Sequence, residues 1–242
     1  MNERWLRTEE HVNALAKLLE GNGIKSGNVL DLCCGNGRFS VFMALKGFKV
    51  TGVDISNTYL EDAKKKAAEY KVSDLTRFLQ SDVRNLTSIP GVDAHPFDVV
   101  INAWTSIGFY SPEDDLKVFK QARELSREGA IFFILETMHS EYASLKFTPT
   151  AYTELDNFVL LENRKYDALA SEMLTTWAFY SKRGEDLVFI DKVELRLHVY
   201  SLCELSALLK KAKWEVLAYY GNIVTLQPMS ALTSMNIVAK AV

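Results

Sequence analysis

Val29-Leu30-Asp31-Leu32-Cys33-Cys34-Gly35-Asn36-Gly37-Arg38-Phe39-Ser40 reads as a short buried strand that breaks into a glycine turn and then opens a helix. Glycine at the break lets the main chain approach a ligand closely, and the first helical turn leaves N–H groups without intrahelical partners. Ligands of open α/β sheets gather at the carboxyl ends of the strands, which places Asp31 and Gly35 on the rim of an expected pocket. The same stretch also suits a tight strand-to-helix turn with no ligand, so the rest of the chain has to decide.

Upstream, residues 3–20 set Trp5, Leu6, Val12, Leu15, Ala16, Leu18 and Leu19 at helical spacing, and Gly21 and Gly23 end that helix. Downstream, helices over Gly37–Lys46 and Asn57–Tyr70 alternate with strands over Phe48–Asp54, Leu75–Gln80 and Phe97–Asn102. Ser111 as N-cap, Pro112 and the acids Glu113, Asp114 and Asp115 open the next helix, which delivers the chain into strand Ala130–Glu136. Such alternation implies parallel strands joined by right-handed crossovers. The period then changes to two over Phe158–Tyr166, Glu172–Tyr180 and Val188–Tyr200, which reads as an antiparallel insertion. Ser201 and Glu204 form a capping box, and Trp214–Tyr220 and Ser234–Val242 supply two last strands. The expectation is an α/β, doubly wound, seven-stranded, mostly parallel sheet. It carries an N-terminal helix as a lid (1–24) and one domain (25–242) with an antiparallel insertion at about 150–200.

With 242 residues, 48% hydrophobic and 24% charged, and only 12 Gly and 5 Pro, the composition is that of a chain able to bury a sizeable core. Lys plus Arg number 28 against 31 Asp plus Glu, a net charge of −3, which gives no broad attraction to phosphate backbones or acidic lipid. The expected partner is therefore a small molecule, with no nucleic acid and no membrane, and the oligomeric state is left open. No apolar run reaches membrane-spanning length, and Met1-Asn2-Glu3-Arg4-Trp5 lacks the order of a secretory signal, so a cytoplasmic location is expected. Cys33, Cys34 and Cys203 make neither a disulfide framework nor a metal-ligand pattern, and no metal is expected.

Two further strand ends repeat the logic of Asp31. Lys49-Val50-Thr51-Gly52-Val53-Asp54 ends in a carboxylate 23 residues past Asp31, near the offset at which an acid accepts ribose hydroxyls. Gln80-Ser81-Asp82-Val83 offers a carboxylate for an exocyclic amine and an apolar side chain for a purine face. Singly, each acid also suits a helix or turn cap. Together they make the chain resemble the class I S-adenosylmethionine-dependent methyltransferases, small-molecule branch, over residues 25–242 in element order, with specific motifs in the first half. The resemblance implies a Rossmann-like methyltransferase fold and S-adenosyl-L-methionine as cofactor. It implies a methionine-side loop of Asp31, Cys33, Gly35 and Gly37, Asp54 on the ribose with Ile55 among the cofactor-binding residues, and Asp82 with Val83 at adenine. Asn102, Ala103 and Trp104, in the segment that ends with Thr105, fall beneath the methionine moiety. One departure stands out: Cys33 occupies the position of the family's first glycine, which leaves the backbone angles there open.

Two other readings share these residues. Gly35-Asn36-Gly37-Arg38-Phe39-Ser40 scans as a dinucleotide fingerprint lacking its third glycine, and Tyr142 and Lys146 have Tyr-x-x-x-Lys spacing, which together suggest an NAD(P)-dependent short-chain-type oxidoreductase. The Thr-Gly-x-x-x-Gly-x-Gly signature of those enzymes is absent. A noncatalytic nucleoside-binding protein is the other alternative. Nucleic-acid methyltransferases are disfavoured, because Asn102-Ala103-Trp104-Thr105 lacks the Asn-Pro-Pro-aromatic motif.

The expected reaction moves a methyl group to O or N of a small metabolite. The cofactor activates the methyl, so the protein must chiefly align the acceptor. A hydroxyl or ammonium acceptor also needs a base, for which His139, just past strand five, and His198, in the insertion, are the candidates, with Glu136 as an orienting group. Glu194, Arg196, His198 and Tyr200 alternate with Val193, Leu195, Leu197 and Val199, so one of these faces looks onto the sheet and the other onto water. Thr175, Trp177 and Phe179, and Trp104, Ser106, Phe109 and Tyr110, suit either core packing or an acceptor wall. The N-terminal helix, with Trp5 and His11, is the candidate cover of the reacting centre.

Overall fold

In the computed structural model the alternation of apolar strands and amphipathic helices produces a doubly wound sheet. Residues 3–154 and 157–242 are described; Met1 and Asn2 of the expected lid, and Leu155 and Asp156 of the expected insertion, lie outside them. Helix α1 (Glu3–Gly21) leads into β1 (Asn28–Leu32), α2 (Arg38–Leu45), β2 (Lys49–Asp54), α3 (Asn57–Glu69) and β3 (Thr76–Gln80). Then come β4 (Phe97–Ala103), α4 (Pro112–Glu124), β5 (Ser126–Thr137) and a short α5 (Ser140–Lys146). The insertion is β6 (Thr150–Glu154), β7 (Phe158–Asp167), β8 (Glu172–Arg183) and β9 (Asp186–His198). Helix α6 (Leu202–Lys211) returns the chain to β10 (Trp214–Asn222), β11 (Gln227–Pro228) and β12 (Met235–Ala241).

The main sheet has the order β11-β10-β12-β5-β4-β1-β2-β3. Strands β1 to β5 pair in parallel, and β12 runs antiparallel between β5 and β10. The seven expected strands are all present, and the two-residue β11 extends the β10 edge. Strand order reverses at β1, whose neighbours are β2 and β4, so the switch-point crevice opens at the carboxyl ends of β1 and β4.

Each face of the sheet carries its own core. On one face Val12, Leu15 and Leu19 of α1 are fully buried with Met43 of α2 and Phe133 of β5. Burying a leucine of this kind stabilises the fold by roughly 1.5–3 kcal/mol. Trp5 lies 5.6 Å from Tyr70 with the rings nearly parallel, so α1 is packed into the domain along its length. The other face buries Phe119, Phe132, Leu205, Leu209 and Trp214, and the Trp214 indole N–H donates to the Phe119 carbonyl at 3.0 Å.

The insertion is a separate antiparallel sheet of order β6-β7-β8-β9. Met173, Leu197 and Val199 at its base pack on Ala143 of α5, and the His198 N–H donates to the Gly108 carbonyl at 2.8 Å in the loop after β4. Alternation in β9 resolves in favour of the apolar face as the inward one: Leu197 is 8% exposed, whereas Arg196 reaches solvent, paired with Glu172 at 2.8 Å. Among the described residues no helix is long and apolar enough to cross a membrane.

Candidate active site

Two cavities meet at the carboxyl ends of β1 and β4. The first, about 330 Å³, is lined chiefly by the β1–α2 turn (Asp31, Cys33, Cys34 and Gly35) together with Ala103 and Trp104 after β4. Cys33 and Gly35 both adopt left-handed backbone, φ 55° and 54°, so the thiol-bearing residue takes a conformation that glycine adopts without strain. A side chain at Gly35 would meet nothing within 4 Å, so the main chain there faces open space. Gly37 is required from both directions: its φ is 74°, and a Cβ would sit 2.8 Å from that of Ala63. It precedes α2 without a side-chain cap, which leaves the first N–H groups of the helix without an intrahelical partner beside Arg38 and Phe39 of the cavity lining.

Carboxylates shape this cavity. Asp54, 8% exposed at the end of β2, accepts hydrogen bonds from the Gly35 N–H and the Ser56 N–H, both at 2.8 Å. It thereby fixes the turn, while a carboxylate keeps further acceptor sites for hydroxyls. Asp31 is buried at the end of β1 and accepts from the Ser40 hydroxyl at 2.6 Å. Burial pushes its carboxyl up to about 7, and the hydrogen bonds from Ser40 offset this only in part. Burial also raises the Cys33 thiol, to about 12, and the Cys34 thiol, so neither thiolate forms near neutral pH.

Farther along, Ile55 is 63% exposed directly after Asp54 and lines neither cavity. Asp82 caps the short 3₁₀ turn Val83–Ser88 and receives the Arg84 guanidinium through both oxygens, which holds its carboxyl below the usual range. Val83 is buried in the core. Asn102 bridges the switch point: its amide donates to the Leu32 carbonyl at 3.2 Å and accepts from the Ser106 hydroxyl at 3.0 Å. Trp104 and Thr105 follow with φ of 65° and 60°, two adjacent residues in a strained region worth roughly 1–3 kcal/mol each. The guanidinium groups of Arg7 and Arg38 lie over the Trp104 ring, 5.4 Å and 5.2 Å from its centroid. Its buried indole N–H has no acceptor among the described residues.

Trp104, Thr105 and Phe109 also line the second cavity, about 610 Å³, which lies between the sheet end and the insertion. Met138, Tyr142, Met173, Trp177, Leu195 and Leu197 supply its apolar walls. Its polar groups are few. Glu136, at φ 53° near the end of β5, is held by the His11 Nε2 at 3.3 Å and accepts from the Ser234 hydroxyl at 3.3 Å. Glu162 accepts from the Arg164 guanidinium at 2.5 Å and the Trp177 indole N–H at 3.1 Å.

The two histidines expected as bases lie elsewhere. His139 is fully buried as the N-cap of α5: one ring nitrogen meets the Tyr142 N–H and the Glu141 carboxylate, and the other donates to the Thr233 carbonyl at 2.9 Å. Both nitrogens hold structure, so the expectation of a base at His139 is corrected. His198 pairs with Glu204 at 2.8 Å and lies edge-on to Tyr200, whose hydroxyl donates to the buried Asp115 at 2.7 Å; it lines neither cavity, and its expected base role is corrected as well. Burial raises Asp115 to about 6. Glu162, Arg164 and the His11–Glu136 contact were not identified as a set from the sequence. Glu162 and Trp177 are directly opposite in the β7–β8 register, so only the pairing of strands brings them together.

Residues 29–129 match the family model described as a methyltransferase domain. The "Putative methyltransferase YqeM" of Bacillus subtilis (strain 168) is 33% identical over 135 residues, 55% of this chain and 51% of that protein. The chain thus spans about half the length of that curated relative. Among solved structures, an S-adenosylmethionine-dependent methyltransferase from Clostridium acetobutylicum ATCC 824 superposes with a TM-score of 0.79 at 18% identity, covering 96% of this chain and 91% of that one. The CcbJ methyltransferase from Streptomyces caelestis gives a TM-score of 0.79 at 22% identity, covering 97% and 89%. At these identities the two superpositions are likenesses of fold, and they include the antiparallel insertion.

Proposed function

We propose, for a chain that carries a methyltransferase domain in the fold of the class I S-adenosylmethionine-dependent methyltransferases, that its two joined cavities transfer a methyl group from that cofactor to O or N of a small molecule. The observation that carries the reading is the shared wall: Trp104, Thr105 and Phe109 border both a glycine-turn cavity at the switch point and a roofed, mostly apolar one. The residues fit the cofactor. Gly35 presents bare main chain to open space, Trp104 has an unpartnered buried donor, and Asp54 retains acceptor capacity at the ribose position.

S-adenosylmethionine supplies an electrophilic methyl on a positively charged sulfur, so the barrier that remains is largely one of alignment and desolvation. Strained backbone at Trp104 and Thr105 fixes the neck between the cavities, and the strands of the insertion wall the acceptor side. A volume of about 610 Å³ with eight apolar or aromatic lining residues suits a small, largely apolar acceptor bearing one polar end. It does not suit a duplex, for which the net charge of −3 is also wrong. Calorimetric titration with S-adenosylhomocysteine, NAD and NADP tests the reading: binding of the first alone supports it, and binding of the nicotinamide nucleotides alone replaces it with the oxidoreductase.

A further inference from the structure

Glu136 is a carboxylate of the acceptor cavity tied to the neck through its main chain, whose carbonyl accepts from the Thr105 hydroxyl at 3.5 Å. Its side chain is 14% exposed and projects from a left-handed residue, backed by Asn236, which accepts from its N–H at 3.0 Å. The cationic partner comes from a different part of the chain. His11 of α1 donates through Nδ1 to the Arg7 carbonyl at 2.5 Å, so the Nε2 that faces the Glu136 carboxylate must carry a second proton to make a favourable contact. The pairing raises His11 from its ordinary value and lowers Glu136, with burial opposing both. Groups facing this pair are Arg7 and Arg38 beside Trp104, and Tyr142 and the mutually paired Glu162 and Arg164 across the cavity. Glu136 is thus a carboxylate whose counter-ion can lose its charge by giving up a proton, unlike the permanently charged partner of Glu162.

We propose that the methyl acceptor is an amine, seated on the Glu136 carboxylate, with His11 surrendering its proton to water as the substrate ammonium takes over its role. This rests on the methyltransferase reading of the same site. Two cations on one carboxylate in a largely apolar cavity repel, so docking of an ammonium favours neutral His11, whose Nδ1–H bond to Arg7 is kept. The vacated Nε2 then receives one N–H proton by way of Glu136. The nitrogen lone pair forms the new C–N bond, the C–S electron pair stays on sulfur, and His11 ends as it began, with one proton released per methyl transferred. Glu136 touches the acceptor; His11 acts through it as a positioning and proton-holding residue. An alcohol offers no positive charge to replace that of His11 and makes a weaker hydrogen bond to the carboxylate.

The test uses the full chain saturated with S-adenosylhomocysteine and two matched probes, 2-phenylethylamine and 2-phenylethanol, titrated calorimetrically in two buffers of different ionisation enthalpy. The amine is expected to bind about tenfold or more tighter than the alcohol, as a charge-assisted hydrogen bond implies. Proton release should accompany amine binding at a pH below the His11 pKa. Glu136→Gln should erase the preference. His11→Gln should keep the preference and abolish the proton release. Equal response to the two probes, including response to neither, overturns the proposal, as does a preference that survives Glu136→Gln. S-adenosylhomocysteine binding with no amine preference defeats the amine alone, whereas failure of the wild-type protein to bind S-adenosylhomocysteine defeats the methyltransferase reading with it.

Discussion

Asp31 gives a sharp test of the cavity's electrostatics, because its carboxyl is buried, accepts one short hydrogen bond from Ser40 and titrates at about 7 instead of 3.8. Between those values the folded protein holds a proton that the unfolded chain has lost. Unfolding free energy therefore falls as pH rises through this window and levels off above about 7. At ~1.4 kcal/mol per pH unit the whole window amounts to ~4 kcal/mol, a large share of the ~5–15 kcal/mol that a domain usually has. Asp31→Asn keeps the volume and an oxygen for the Ser40 hydroxyl but cannot ionise. Relative to wild type it should be close to neutral near pH 4 and more stable by up to ~4 kcal/mol near pH 8. Urea melts of both proteins across this range measure the difference, in which the raised Asp115 and the raised His11 cancel because both proteins contain them. A difference that stays constant with pH would refute the reasoning. Since Asp31 lines the cofactor cavity, binding of S-adenosylhomocysteine, which carries an ammonium group, should release a proton from the wild type below about pH 7 and release less from Asp31→Asn.

Three substitutions probe the remaining assignments. Gly37→Ala places a Cβ 2.8 Å from that of Ala63 on left-handed backbone, so it should cost ~2 kcal/mol or more in urea melts and weaken S-adenosylhomocysteine binding in calorimetry. His139→Ala removes the α5 cap and the contact with Thr233 and should lower stability by ~1–2 kcal/mol, with any methyl-transfer rate constant at saturation within about twofold of wild type; a loss of rate without loss of stability would restore it as a base. Tyr200→Phe removes one of two hydrogen bonds to the buried Asp115 carboxylate, leaving that from the Gly108 N–H, and should destabilise by ~1–2 kcal/mol at neutral pH, less in acid where Asp115 is protonated, as followed by thermal melts at both pH values.

Local chemistry explains which parts of this molecule could be read from its sequence. The β1–α2 turn, the acids at the ends of β1, β2 and β3, and the capping residues Ser111 and Ser201 are each set by neighbours within a few positions, and each stands where the pattern put it. The phase of an alternating strand is also local, but which phase looks inward is not: Leu195 and Leu197 face the cavity because β9 joins the loop at Gly108, a contact made across about 90 residues. His139 was misplaced for a related reason. Strand direction aims the end of β5 at the pocket, yet the start of α5 claims that residue as its cap, a possibility carried only by Glu141 and Tyr142 behind it. The acceptor wall is farthest from legibility, since Glu136 meets His11 across 125 residues and Glu162 meets Trp177 only through β7–β8 register. The recognised domain, residues 29–129, stops before Glu136, Glu162 and Trp177. The glycine-turn cavity, where the cofactor is proposed to bind, thus rests on short-range motifs that a sequence pattern can record. Under the proposed function, the choice of acceptor rests on long-range meetings among α1, the end of β5 and the insertion, where a change of one wall residue would alter the substrate without disturbing the motif beneath it.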